Sequence, residues 1–324
     1  MAEKTYLQAI TDGLRQEMQR DERVFLIGED IGMFGGAFKV TSGLQEEFGE
    51  WRVIDAPLSE TAIVASCTGA AIVGMRPVAE MQFADFVSCA WDHLTTVSAK
   101  QHYRAGTPIP MTVRLPCGGG FSGGPFHSQM YDGYFAHCPG LKLALPATPE
   151  DAKGMIIEAI RDPNPVLFFE HKHLYRRIKG EVPDEIYTTP FGKARIAREG
   201  SDVTLVAWSA MVHVAMDAAK ILEAEGIDVE VLDMRTIAPL DFEAIATSVI
   251  KTSKVIVLYE DTRTGGFGAE IGSRIAEELF ENLDAPVTRI ASADCPIPFS
   301  PVLEREVLPQ VNDVVVAIQK LAAY

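Results

Sequence analysis

Short buried-strand runs alternate with helical periods along this chain, and few folds accept that order. Val24-Phe25-Leu26-Ile27, Arg76 to Met81, Met111 to Leu115, Leu141 to Leu145 and Val166 to Glu170 read as strands. Between them lie helical stretches. Thr5 to Arg20 carries Leu7, Ile10, Leu14 and Met18 at helical spacing, and Val40–Phe48, Thr61–Ala71 and Phe83–Tyr103 also read as helices. Thr148-Pro149-Glu150-Asp151 opens another with an N-cap, a proline at the first position and then acids. It stops at Asp162-Pro163-Asn164-Pro165. This alternation implies a parallel sheet covered on both faces. Residues 174–201 are polar and turn-rich, and the alternation then restarts at Val203 with a smaller set. The spacing predicts an α/β chain of two domains, each a mostly parallel sheet covered by helices. The first is expected over 1–185 and the second over 201–324, joined by a linker at 186–200; the length suits about two domains.

Bulk properties narrow the function classes. The formal net charge is -16, which argues against binding a phosphate backbone or an anionic membrane surface. It suits docking on a basic protein partner. Five cysteines are scattered without Cys-x-x-Cys spacing, as in a reducing compartment. Met1 to Tyr6 has no apolar signal core, and no apolar run approaches the roughly 18 residues of a membrane span. A cytoplasmic protein is expected.

One carboxylate stands out. Asp55-Ala56-Pro57-Leu58-Ser59-Glu60 lies between the strand end Arg52-Val53-Ile54 and a small-residue helix expected to be packed tightly on all sides. A buried acid needs a partner, because an unpaired buried charge is expensive. Ser59 suits the N-cap and Glu60 the first turn, so the partner is either the helix N-terminus or a bound cofactor. Other candidates are weaker. Gly118 to Gly123 contains a literal Gly-x-Gly-x-x-Gly, but no apolar helix follows and position 138 is Cys138, where a ribose-binding acid belongs. It reads as a loop over a ligand or a plain loop. His127 is placed for acid/base or anion-binding work near neutral pH, or is a surface histidine. His171 and His173 lack further ligands at metal spacing and read as structural. The helix end at Ala159 to Asn164 offers carbonyls and side-chain oxygens to a hard cation, or merely stops the helix. There is no nucleophile elbow and no zinc motif, nor a Gly-Asp-Gly segment followed by a nearby Asn, the usual magnesium-diphosphate anchor of thiamin enzymes.

Taken in order, Gly28-Glu29-Asp30-Ile31-Gly32, Gly35-Gly36-Ala37-Phe38, Pro57 to Glu60, Arg76 to Phe83, Tyr103-Arg104, Phe126-His127-Ser128-Gln129, Ala159 to Asp162, Leu174-Tyr175-Arg176 and Val231 to Thr236 resemble the beta subunit of thiamin-diphosphate-dependent 2-oxo acid dehydrogenases. The resemblance spans essentially the whole chain. It implies a pyrimidine-binding domain followed by a transketolase C-terminal-like domain, in a heterotetramer of two alpha and two beta chains docked on a lipoyl acyltransferase core. It implies thiamin diphosphate as cofactor, with the alpha chain holding Mg2+ and the diphosphate; the missing Gly-Asp-Gly fits. By the same resemblance Glu60 hydrogen-bonds the pyrimidine ring nitrogen, and Leu58, Gln82 and Phe86 line that pocket. His127 lies near the substrate and the incoming lipoyl group. Ile109, Met111, Thr112, Ala159, Asp162 and Asn164 match a potassium site.

Two departures stand out. After His127-Ser128-Gln129 the family pattern runs on with a small polar residue and Glu-Ala, but here the chain reads Met130-Tyr131-Asp132-Gly133. The Asp-Thr-Pro-x-Pro pattern near the C-terminus is Asp294-Cys295-Pro296-Ile297-Pro298. Glu199 to Trp208 and Thr264 to Phe267 resemble branched-chain members more than pyruvate members, so a branched-chain 2-oxo acid is the expected substrate. Pyruvate and acetoin enzymes are the alternatives, and a non-catalytic interaction subunit is the alternative of another class.

Overall fold

The structure is a computed structural model that describes all residues from Met1 to Tyr324. It separates into two compact units, Met1–Cys117 with Phe135–Phe191, and Gly118–Tyr134 with Gly192–Tyr324.

In chain order the first unit holds β1 (Ala2–Thr5), α1 (Tyr6–Arg20), β2 (Val24–Gly28), α2 (Leu44–Phe48), β3 (Val53–Asp55), α3 (Glu60–Ile72) and β4 (Arg76–Glu80). A composite helical stretch follows: 3-10 turns at Ala84–Ala90, a π-helical segment at His93–Ser98, and α4 (Ala99–Ala105). After β5 (Thr112–Cys117) the chain passes through the second unit. It returns in α5 (Asp132–Ala136) and continues with β6 (Lys142–Ala144), α6 (Pro149–Arg161), β7 (Val166–His171), α7 (Leu174–Arg177) and β8 (Lys179–Val182). The strands lie in the order β6-β7-β5-β4-β2-β3, all parallel. β5 and β7 are buried at every residue, as strands covered on both faces must be.

Helix starts follow side-chain capping. Thr5 and Gln8 form a reciprocal capping box at α1. Thr148 caps α6, accepting from the Asp151 N–H at 3.2 Å. α1 packs on α6 at Gly13, where a Cβ would run into Ile156 and the Lys153 carbonyl, so only glycine permits this approach.

The second unit holds β9 (Arg195–Arg198), β10 (Val203–Ala207), α8 (Met211–Glu223), β11 (Val229–Asp233), β12 (Thr236–Ala238), α9 (Phe242–Thr252), β13 (Val255–Thr262), α10 (Gly268–Glu278), β14 (Thr288–Ser292), α11 (Pro301–Val307) and α12 (Val311–Ala322). Its sheet runs β14-β13-β10-β11-β9, parallel except for the edge strand β9.

Several expectations change. The segment 186–200, read as linker, contains β9. The helix expected over Phe83–Tyr103 is three helical pieces with different hydrogen-bond spacing. The helix expected from Val40 starts at Leu44, after Gly43 at φ 79. β1 and β8, which pair antiparallel, were not expected at all. The small-residue helix α3 is packed on one face only: Ile63, Val64, Cys67 and Ala71 are buried, while Thr61, Ala62, Ser66 and Gly69 are exposed.

Candidate functional site

Acids gather at the C-terminal ends of β2, β3 and β4, the edge of a parallel sheet where ligands bind in α/β folds. Glu29 directly follows β2, Asp55 ends β3, and Glu80 ends β4. Each has a different environment. Asp55 accepts from the Gly32 N–H at 2.6 Å, which ties the glycine-rich loop to β3. Glu80 pairs with the buried Arg114, opposite it in register on β5. Arg114 also makes a two-pronged contact with Glu170, Nε to Oε1 at 2.6 Å and Nη2 to Oε2 at 2.7 Å, and Tyr175 donates to Glu170 at 2.7 Å. Burial pushes the Glu80 carboxyl upward against the opposing pull of Arg114.

Glu60 is the first residue of α3 and only 8% exposed. No cation of the chain salt-bridges it. Its charged neighbour is another acid: Glu29 is pushed upward by burial first and by the Glu60 charge second, while the Ser59 N–H bonded to Glu29 pulls the other way. Two carboxyls therefore share the mouth of α3, and Glu29 is the one held above its ordinary range. Glu29 was not singled out from the sequence; an acid directly after a buried strand and before a glycine-rich loop was the available signal. Ser59 stands at the N-cap position, but its side chain does not cap. Its hydroxyl donates to the Pro57 carbonyl at 2.9 Å, which tightens the turn before Glu60.

Leu58, just before, is 80% exposed. Gln82 and Phe86 follow β4 and are half-buried. Phe86 ends a row of rings: Tyr6 to Tyr175, Tyr175 to Phe38, Phe38 to Phe83 and Phe83 to Phe86, with centroids 5.3 to 6.2 Å apart. Such spacing suits tilted and edge-on aromatic contact. Leu58 and Glu60 thus come from the end of β3, and Gln82 and Phe86 from the end of β4, the two strands that flank β2. His127 belongs to the second unit.

There the glycine loop is held by two buried acids. Glu260 accepts from the Gly119 N–H at 2.8 Å, and Glu304 from the Gly120 N–H at 2.8 Å and the Ser122 N–H at 3.1 Å. The N–H groups that a phosphate would need are bonded to carboxylates, so this loop is not a dinucleotide cradle. His127 sits in a turn, its N–H bonded to the Gly124 carbonyl at 3.2 Å. Beyond it, the fully buried Asp132 accepts from Trp208 Nε1 at 2.8 Å. Burial first, and the charge of Asp261 second, push the Asp132 carboxyl up to about 8.

The residues matched to potassium do come together within the first unit. The Ile109 N–H donates to the Pro163 carbonyl at 3.0 Å, and the Met111 N–H to the Ile109 carbonyl at 2.8 Å. Asp162 caps the end of α6, pairs with Lys142, and accepts from the Asn164 N–H at 2.9 Å. Asn164 Oδ1 contacts His102 Nδ1 at 2.7 Å. Thr112 Oγ1 is buried and has no hydrogen-bond partner. His171 and His173 meet edge to face, and the chain holds no cluster of three metal-ligating side chains.

Comparison with known proteins matches this division. Residues 2–178 match the transketolase pyrimidine binding domain family and residues 192–314 the transketolase C-terminal domain family. The 2-oxoisovalerate dehydrogenase subunit beta of Bacillus subtilis (strain 168) is 46% identical over 327 residues, covering 100% of both chains. The pyruvate dehydrogenase E1 component subunit beta of the same organism is 44% identical, also covering 100% of both. A solved "split gene transketolase, inactive beta4 tetramer" superposes with a TM-score of 0.80 at 23% identity, covering 98% of each chain, and shows the same fold. With both domain families matched in order and full-length identity at this level, the chain belongs to the beta-subunit family of thiamin-dependent 2-oxo acid dehydrogenases.

Proposed function

We propose that this chain supplies the pyrimidine-binding half of a thiamin diphosphate site in the decarboxylating component of a branched-chain 2-oxo acid dehydrogenase. An alpha chain supplies the magnesium and diphosphate half. The observation that carries this reading is Glu60: a buried carboxylate at a helix start, without a cation in its own chain and facing a second acid that is held above its ordinary range. A buried acid so placed calls for a hydrogen-bond donor from outside the chain.

The surrounding residues fit an aminopyrimidine. Glu60 would accept a hydrogen bond from its ring nitrogen, and Phe86, whose ring packs edge-on against Phe83, would line the pocket with Leu58 and Gln82. When bound, thiamin diphosphate supplies the electron sink that decarboxylation of a 2-oxo acid requires. Glu60 would orient the ring and stabilise the proton at that nitrogen, with Glu29, held above its ordinary range, as the neighbouring acid. His127 assists acyl transfer to a lipoyl group. The branched-chain assignment rests on the similarity to the 2-oxoisovalerate relative.

The potassium assignment has support of its own. The Thr112 hydroxyl is an orphaned buried oxygen, and the segment before it is joined to the end of α6 by the Ile109 N–H and Pro163 carbonyl. A monovalent cation there would be held by carbonyls and Thr112, because Asp162 is already engaged by Lys142 and Asn164. Thermal stability of the assembly should then rise with potassium over sodium, and Thr112→Val should remove the difference.

Glu60→Gln, co-expressed with the alpha chain, is expected to assemble normally and lose at least about 100-fold in decarboxylation, the general range for a positioned proton-handling group. Wild-type decarboxylation rates in that variant would sink the assignment. Rates on branched 2-oxo acids against pyruvate settle the substrate.

A further inference from the structure

The departure after His127 coincides with a local arrangement in the second unit. The Asp261 charge bears on Asp132, and Asp261 Oδ2 stands against Gly133, the residue after Asp132. Asp261 Oδ1 also accepts from the Thr262 N–H at 2.7 Å. Trp208 holds Asp132 Oδ2 at 2.8 Å, and Asp132 Oδ1 has no other hydrogen-bond partner. Gly133 is required for this meeting: a Cβ there would stand 2.6 Å from Asp261 Oδ2. Gly133 thus leaves room beside Asp132 for the second acid.

We propose that Asp132 is a positioning residue: with Asp261 and Trp208 it clamps the loop that bears His127 in the second unit, and the clamp holds only while this pair of buried acids keeps a proton. Asp261 bears on Asp132, and Glu260, the neighbour of Asp261 on β13, bears on Asp261. Glu260 is itself engaged with the Gly119 N–H, so ionisation of the pair places three acids along one loop. Burial raises both members of the pair, and the proton is therefore retained at neutral pH and lost on the alkaline side. The functional consequence rests on the reading of His127 as the group that assists acyl transfer.

The test is hydrogen–deuterium exchange of peptides covering 118–134 in the alpha–beta holoenzyme, across pH 6 to 9.5 and corrected for intrinsic base catalysis. In the wild type, opening coupled to loss of one proton should increase by about tenfold per pH unit beyond the transition. Asp132→Asn should stay protected throughout, because its amide accepts from Trp208 and donates to Asp261 without ionising. Asp261→Asn should behave alike and guards against a folding failure of the first variant. A flat wild-type profile, or an Asp132→Asn profile that follows the wild type, overturns the proposal. Reductive acylation of a lipoyl domain is the second readout, with KM expected to rise in step with loop opening in the wild type alone. If exchange behaves as expected and acylation does not follow, the clamp stands and the role given to His127 falls.

Discussion

Arg114 shows how much one side chain determines here. It is buried among Glu80, Glu170 and Tyr175, at the root of the strand ends that carry the acid cluster. Replacing it by methionine leaves two buried carboxylates without their cation. We expect Arg114→Met to destabilise the chain by about 3–5 kcal/mol, the cost of breaking a buried charge cluster from one side, read from denaturant unfolding. Asp21 gives a pH prediction. The side-chain hydrogen bond from Arg23 holds its carboxyl down from 3.8 to about 2, against the opposing effect of burial. The folded chain takes up this proton less readily than the unfolded chain. Its contribution is therefore present above about pH 4 and lost as the pH falls toward 2. Asp21→Asn should flatten the acid limb of a melting-temperature profile over that window, and an unchanged limb would refute the assignment.

Helix starts make the matching contrast at the scale of elements. Thr148 Oγ1 accepts from the Asp151 N–H in the first turn of α6, whereas the Ser59 hydroxyl at the start of α3 donates to the Pro57 carbonyl instead. Thr148→Ala is expected to cost about 1 kcal/mol and Ser59→Ala clearly less, measured side by side by thermal unfolding. The sequence showed the first of these fully, since Thr-Pro-Glu-Asp is a local signal. It showed the position of the second but not its bonding, which depends on the turn at Pro57. The same distinction runs through the fold. β5 and β7 were legible because continuous burial leaves continuous apolar sequence. β1, β8 and β9 were not, because Ala-Glu-Lys-Thr, Lys-Gly-Glu-Val and Arg-Ile-Ala-Arg are polar edge segments whose pairing comes from distant partners. In the candidate site, Glu60 was visible from its local setting. The Asp132–Asp261 meeting was not, since it joins residues far apart in sequence.

For the whole molecule, the open face of α3 matters most. Thr61, Ala62, Ser66 and Gly69 form a small-residue strip on an otherwise packed helix, and a Cβ at Gly69 meets nothing within 4 Å. Such a face allows another helix to approach closely. Ser66→Trp is expected to leave the circular dichroism spectrum unchanged and to prevent assembly with the alpha chain, followed by size-exclusion chromatography. A variant that still forms the full complex would show that this face stays in solvent. The grip of Glu260 and Glu304 on the glycine loop has a consequence for synthesis. Gly120 and Glu304 are 184 positions apart, so a ribosome releases the loop long before one of its two anchors exists. The nascent chain carries residues 118–134 loose through most of translation. That interval, rather than the finished protein, is when a protease or a chaperone meets this loop.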